Sequence, residues 1–174
     1  FVLPGRPGTA PLRIERDGFA LEIADEPGST RLRGSWTEHD GTPGTLDVSI
    51  ELPEGHESLN VVIPWNDERF NYTSKHQARP ATGELSVGDR RWEIGGDGSD
   101  AWGVLDVGRG RWPSEVTWNW GGGAGRCGNH VVGLQFGAKW TEGSGYTENG
   151  LIVDGRLTKL GREDLKGRAA IANA

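Results

Sequence analysis

Short alternating segments separated by turn dipeptides constrain the fold of this chain more than any other feature. Apolar and polar residues alternate in runs such as 12–16 and 19–23. Alternation with a period of two is typical of half-buried strands, and Asp-Gly or Gly-Asp favours the tight turns that join antiparallel neighbours. Dipeptides of this kind separate alternating runs at three places: Asp17-Gly18, Gly88-Asp89 and Asp154-Gly155. The sequence therefore predicts an antiparallel all-β fold, either a barrel or a β-sandwich of hairpin-linked strands.

Roughly ten to thirteen short strands follow from this pattern. One of them is predicted over 115–120, and the glycine-rich run 121–126 after it is predicted to be a hairpin loop. That run opens no helix and lacks the Gly-Lys-Ser/Thr ending of a phosphate loop. We expect an irregular lead-in over 1–10, one β-rich domain over 11–160 and a short C-terminal tail over 161–174. The β-rich domain can consist of two packed halves with a junction near 64–83. Within the tail, 162–172 has a weak helical pattern.

Charge and cysteine content exclude several classes of protein. The net charge is −6 and the pI about 5.2, so general nucleic-acid binding is not expected. A single cysteine excludes an internal disulfide. No apolar run approaches the ~20 residues that span a bilayer, and no signal peptide is visible. We expect a cytoplasmic protein without a membrane span.

Tryptophan is concentrated in the second half of the chain. The tryptophans of this region are Trp102, Trp112, Trp118, Trp120 and Trp140. Burying so much indole requires a wall of partners or a ligand, and each indole N–H needs an acceptor. In a strand, Trp118 and Trp120 would share one face and Asn119 would occupy the other. The sequence predicts a ligand-binding aromatic wall, with plain core packing as the alternative.

Two carboxylates in this region are candidate acid–base groups. Asp106 lies three residues before Arg109 and can act as a general acid if it is buried, or can form a structural ion pair with that arginine. Glu148 follows a glycine-rich approach and precedes Asn149, which can orient it. The alternative for Glu148 is a loop acid that caps backbone N–H groups.

A phenol, a cation and an imidazole occur together at Tyr72, Lys75 and His76. Histidine titrates near neutral pH and suits proton transfer, although a polar edge strand explains the same residues. The histidines of the chain lack the spacing of a metal site, so neither a metal nor another cofactor is expected. Cys127 has no evident base beside it, so a nucleophilic role is not expected.

Several longer motifs together resemble one bacterial family, the domain of unknown function 2804. They are 56–65 (HESLNVVIPW), 72–76 (YTSKH), 105–113 (LDVGRGRWP), 117–120 (TWNW) and 139–149 (KWTEGSGYTEN). Distant relatives of that family are lipocalin-like β proteins, which include carotenoid hydratases and fungal pericyclases. The resemblance implies a lipocalin-like (calycin-type) fold with an apolar pocket for a terpenoid- or polyketide-like ligand.

The leading expectation is a β protein that binds a largely apolar small molecule against its tryptophans. It can also be a cofactor-free hydratase, isomerase or cyclase that uses carboxylate proton transfer. The first alternative is a carbohydrate-active protein, either a glycoside hydrolase with paired carboxylates or a sugar-binding module. The second is a non-catalytic piece of a larger β protein that associates through a sheet edge.

Overall fold

A computed structural model describes residues 12–96, 100–139, 141–142 and 144–161. Within these ranges all regular elements are β-strands, and their sheets are antiparallel, which confirms the predicted fold class. The strands are β1 (Leu12–Arg16), β2 (Phe19–Glu26), β3 (Ser29–Thr37), β4 (Pro43–Glu51), β5 (Leu59–Pro64), β6 (Phe70–Val87), β7 (Arg90–Ile94), β8 (Trp102–Arg111), β9 (Asn119–Cys127), β10 (His130–Ala138), β11 (Asn149–Val153) and β12 (Arg156–Leu160). In the described part of the chain the sheets do not close into a barrel.

The chain divides into two compact units that alternate along the sequence. The first unit comprises Phe1–Glu54 and Arg79–Gly103, and the second comprises Gly55–Ala78 and Val104–Ala174. The boundary between Ala78 and Arg79 falls within the long strand β6. The chain therefore passes from one unit to the other three times.

In the first unit β1 pairs with β2, β2 with β3 and β3 with β4, and both β4 and β7 pair with the second part of β6. Its tight turns have the predicted chemistry. Asp17 and Gly18 adopt φ values of 46° and 78° between the paired residues Arg16 and Phe19, as a type I′ turn requires. Gly88, at φ 57°, opens the turn between β6 and β7.

A buried arginine ties two strands of the first unit together. Arg79 is 3% exposed, and its guanidinium donates hydrogen bonds to the carbonyl oxygens of Glu51 at 2.6 Å and Ile50 at 3.1 Å. Burial lowers the pKa of Arg79 from its usual value, but an arginine remains charged at neutral pH. Its charge is thus spread over two backbone carbonyls of β4.

The second unit contains the pairings of β5 and β8 with β6 and a four-stranded sheet in the order β12-β11-β10-β9. Its hydrophobic core consists of Leu59, Val61 and Ile63, with Trp65, Val116 and Leu157 packed against them. The cross-strand partners of the three β5 core residues are Lys75, Thr73 and Asn71. Because directly paired residues project to the same face of a sheet, these polar residues of β6 lie on the buried face.

The predicted loop over 121–126 is wrong, because these residues form the middle of β9. They pair continuously with β10, from Asn119 opposite Ala138 to Cys127 opposite His130. The strand predicted over 115–120 is correct only for its last two residues. Glycines carry no side chain that could alternate, so a glycine-rich strand gives no periodic signal and is defined by its partner.

Several parts of the chain lie outside the described residues. They include the predicted lead-in over 1–10, the helical pattern over 162–172 and all of the predicted tail except Gly161. Among the residues that are described, no helix has the length and hydropathy needed to cross a membrane.

Candidate functional site

Lys75 is the centre of the candidate site in the second unit. Its side chain is only 5% exposed, and its Nζ atom lies 2.6 Å from Asp106 Oδ2 and 2.9 Å from Glu148 Oε2. An isolated ammonium group would be strongly disfavoured in such a place. One buried ammonium therefore bridges two carboxylates, which gives the three side chains a net charge of −1 when all are ionised.

The two carboxylates differ in their access to solvent. The side chain of Asp106 is 42% exposed, whereas that of Glu148 is 1% exposed. Thr73 also orients Asp106, because Thr73 Oγ1 donates a hydrogen bond to Asp106 Oδ1 at 3.3 Å. Asp106 is thus the carboxylate that a ligand can reach, and Glu148 is a fixed internal charge.

Backbone contacts hold Glu148 in place. Gln135 Nε2 donates to the Glu148 carbonyl at 2.9 Å, and Gln135 is itself 1% exposed. Asn149 Oδ1 accepts a hydrogen bond from the Gly137 N–H at 2.8 Å. A Cβ atom at Gly137 would lie 2.0 Å from Glu148 Oε1, so the carboxylate occupies space that only glycine leaves open.

Aromatic rings border this cluster. Lys75 Nζ lies 5.7 Å from the centroid of the Trp120 ring, within the range of a cation–π interaction. Trp112 Nε1 donates to Asn71 Oδ1 at 3.1 Å, and its ring centroid is 5.8 Å from that of Trp65 in an edge-to-face arrangement. Because Asn71 and Lys75 share one face of β6, the indoles and the charged groups line the same side of the sheet.

Comparison with protein families gives one result that covers almost the whole chain. The family model of the domain of unknown function 2804 (DUF2804) matches residues 1–167. The chain belongs to this family. The motifs at 56–65, 72–76 and 105–113 therefore indicated the family correctly. No curated protein and no solved structure matches the chain.

Other predicted site residues of this DUF2804 chain lie apart from Lys75. Tyr72 and His76 project from β6 away from the face that carries Lys75, and they contact Asn60 and Ser74 respectively. Arg109 is exposed in β8, on the face opposite to Asp106. These three residues do not join the Lys75 cluster in this arrangement.

The structure describes four of the five tryptophans of the predicted aromatic wall, and two of them, Trp112 and Trp120, border the Lys75 cluster. Trp120 borders Lys75, but Trp118 precedes β9 and is 64% exposed, so the two indoles are not equivalent neighbours in one strand. Asn119 is exposed at the start of β9. Trp102 belongs to the first unit, and Trp140 lies outside the described residues.

Three residues that support the site were missed by sequence reasoning: Thr73, Gln135 and Gly137. A usable signal existed for Gln135, which is a polar residue in the apolar run 131–136. The amide oxygen of Gln135 accepts a hydrogen bond from Gln77 Nε2 at 3.1 Å. The buried amide group of Gln135 therefore has a partner at its oxygen, and its nitrogen donates to the Glu148 carbonyl. Buried polar groups of this kind need such partners.

The described part of the second unit also has an open groove of about 630 Å³. It is lined by Ser58, Leu59, Asn60, Val61, Val62, Pro64, Tyr146, Leu157 and Lys159. The apolar-ligand hypothesis predicts a closed, tryptophan-lined pocket, and this groove has neither property. Among the residues that the structure describes, no group of three or more His, Cys, Asp or Glu side chains is placed to hold a metal ion.

Proposed function

We propose that the second unit binds a largely apolar small molecule beside Trp120 and transfers a proton to or from it through Asp106. The observation that carries this proposal is the unequal pair of carboxylates on one buried ammonium. Asp106 is 42% exposed and Glu148 1% exposed. A proton-transfer group must reach the ligand, whereas its supporting charge must stay fixed.

Each residue then has a defined task. Thr73 and Lys75 hold both oxygens of Asp106, so that the carboxyl group does not rotate during transfer. Glu148 balances the charge of Lys75, so the cluster is neutral while Asp106 is protonated and has a net charge of −1 once Asp106 has given up its proton. Such a cluster stabilises positive charge that develops on a ligand when a carbon–carbon double bond accepts a proton. The indole of Trp120 supplies an apolar face beside the charged groups.

The reaction class follows the resemblance to lipocalin-like hydratases and pericyclases. The acid-catalysed forms of hydration, isomerisation and cyclisation of an unsaturated ligand begin with a proton transfer that needs no cofactor. Asp106 in its protonated form would donate the proton to a carbon of the double bond. The cation would then be discharged by addition of water with loss of a proton, or by loss of a proton from a neighbouring carbon, either directly or after ring closure, and this proton would return to the Asp106 carboxylate. A lipocalin-like relationship remains part of this proposal.

A carbohydrate-active protein is a second candidate, because two indoles of the second unit are open to solvent. Trp118 is 64% exposed and Trp112 45% exposed, and exposed indole faces suit stacking on sugar rings. Asp106 and Glu148 share one ammonium, so they lie close enough together for a retaining arrangement. However, Lys75 stands between them, at the place where the sugar would have to lie.

The test combines tryptophan fluorescence with product analysis. The protein is titrated with geranylgeraniol and, separately, with a cello-oligosaccharide, and the reaction mixtures are examined by mass spectrometry for addition of water or for isomers. We expect saturable binding of the prenyl alcohol by the wild type and by Asp106→Asn, with product formed by the wild type alone. Glu115→Gln changes an exposed acid of the same unit and serves as the matched control.

Three outcomes contradict the proposal in different ways. Binding of the oligosaccharide alone favours the carbohydrate candidate. Equal product formation by the wild type and Asp106→Asn removes Asp106 from the chemistry. Binding without product in every variant reduces the second unit to a binding module.

A further inference from the structure

A second group of chemically active side chains lies at the far end of β9 and β10. Cys127 ends β9, His130 begins β10, and the two are direct cross-strand partners across a two-residue turn. Directly paired residues project to the same face, with their Cβ atoms about 4.5–5.5 Å apart. The Cβ atoms of Cys127 and His130 are therefore neighbours, although only the fold makes this evident.

Asp154 orients the imidazole. His130 Nδ1 lies 2.6 Å from Asp154 Oδ2, and the other carboxylate oxygen accepts the Val131 N–H at 2.9 Å. The Asp154 N–H donates back to the Val131 carbonyl at 2.9 Å, so the aspartate is clamped from two sides. Its φ of 49° belongs to the tight β11–β12 turn that Asp154 and Gly155 form.

The state of each group follows from these contacts. The hydrogen bond from His130, followed by that from the Val131 N–H, lowers the pKa of Asp154, so this carboxylate is ionised at neutral pH. An ionised carboxylate only accepts hydrogen bonds, so His130 Nδ1 carries the hydrogen. In neutral His130 the lone pair is consequently on Nε2, which makes Nε2 the basic nitrogen of the ring.

We infer that Cys127, His130 and Asp154 form a thiol-exchange site whose substrate is a low-molecular-weight disulfide. A nucleophile beside a base that a third group orients is the usual arrangement for activating a thiol or hydroxyl. Cys127 is exposed, as attack on a dissolved disulfide requires. The site is separate from the Lys75 cluster and does not depend on the function proposed for it.

The exchange balances without any further reactant. His130 Nε2 takes the thiol proton, and the Cys127 thiolate attacks one sulfur of the disulfide R–S–S–R. A new bond forms between Cys127 and that sulfur, the original S–S bond breaks, and the leaving thiolate R–S⁻ takes the proton back from His130. The products are a mixed disulfide on Cys127 and one molecule of R–SH.

The experiment uses the fact that the chain has a single cysteine, so that every reaction with a thiol reagent reports on Cys127. The rate of exchange with 5,5′-dithiobis(2-nitrobenzoic acid) is followed by the absorbance of the released thiolate, and the mixed disulfide with glutathione disulfide is measured by mass spectrometry. The variants are His130→Gln and Asp154→Asn. His39→Gln changes an exposed histidine in the β3–β4 turn and serves as the control.

At pH 7 we expect His130→Gln to slow the exchange about tenfold. This factor is smaller than general base catalysis usually contributes in enzymes, because His130 is exposed to solvent. Asp154→Asn should slow it several-fold, because an amide does not stabilise the required tautomer. His39→Gln should match the wild type. At pH 10 all four proteins should react alike, because hydroxide then removes the thiol proton without help.

Two results overturn the inference. Equal rates for the wild type and His130→Gln at pH 7 would mean that Cys127 is only an exposed thiol. A loss in His130→Gln that persists at pH 10 would mean that the histidine shapes the turn instead of taking the proton. Circular dichroism of each variant separates both results from unfolding.

Discussion

Lys75 Nζ lies 2.9 Å from Glu148 Oε2, and the two side chains are 5% and 1% exposed. A carboxylate at such depth depends on its partner, because water cannot replace the ammonium. The pairing also connects distant parts of the sequence, since Lys75 is on β6 and Glu148 directly precedes β11.

Removal of Lys75 should therefore destabilise the protein strongly. We expect Lys75→Met to lower the free energy of unfolding by about 3–5 kcal/mol, because Glu148 then loses the ammonium group that balances its charge in the interior. The double variant Lys75→Met with Glu148→Gln should lose less than the sum of the two single changes. Urea denaturation of the four proteins measures this coupling, and strictly additive losses would contradict a direct interaction.

Gly137 provides an independent test of the position of Glu148. An alanine Cβ at 137 would lie 2.0 Å from Glu148 Oε1, so Gly137→Ala should displace the carboxylate and cost about 2 kcal/mol or more. Gly123→Ala is the matched control, because it lies in the adjacent strand of the same sheet with no atom within 4 Å of the added Cβ. Denaturant unfolding should show a loss for Gly137→Ala alone, and equal behaviour of the two variants would argue against the close contact.

Acid should weaken the first unit through Asp47. The hydrogen bond from Arg31 lowers the pKa of Asp47 below the usual value of an aspartate. A carboxyl group with a lowered folded-state pKa contributes stability that is complete above the unfolded-state pKa and is lost as the pH falls through the folded-state value. The stability difference between the wild type and Asp47→Asn should thus shrink as the pH is lowered from 5 to 2.5. Denaturation at each pH measures it, and a constant difference would rule out this linkage.

Arg79 should prove more important than a surface arginine. Arg79→Met leaves the carbonyl oxygens of Ile50 and Glu51 without their donor, and we expect it to cost about 3 kcal/mol. Arg79→Lys should cost less, because an ammonium can still bind one carbonyl. Thermal denaturation of both variants checks the order, and a methionine variant as stable as the wild type would show that other donors reach these carbonyls.

Turn chemistry made much of the fold predictable from the sequence. Asp17-Gly18, Gly88-Asp89 and Asp154-Gly155 all close hairpins, because the φ values that such turns need are accessible to few residue types. The strand formed by the glycines of 121–126 could not be found in this way. Its only definition is the hydrogen-bonded partner β10, which a periodicity of side chains does not reveal.

The sequence indicated which residues belong to the candidate site better than it indicated which of them contact each other. Asp106, Glu148, Lys75 and Trp120 stand out by their chemistry, but the sequence suggested Arg109 as the partner of Asp106. Lys75 is the observed partner because β6 and β8 lie side by side, and such a neighbour relation depends on strand order. The same limit applies to Cys127, whose neighbour His130 became evident only once 121–127 was known to be a strand.

The alternation of the chain between its two units has a consequence for synthesis on the ribosome. Residues 1–54 leave the exit tunnel before the strands that complete their unit, which end only at Gly103. The segment 55–78 carries Lys75, and the ion pair of Lys75 with Glu148 can form only after residue 148 has been synthesised. A nascent chain of this protein therefore cannot finish the first unit before it starts the second. A shortened gene that stops at residue 78 would leave both units unfinished, with unpaired strand edges.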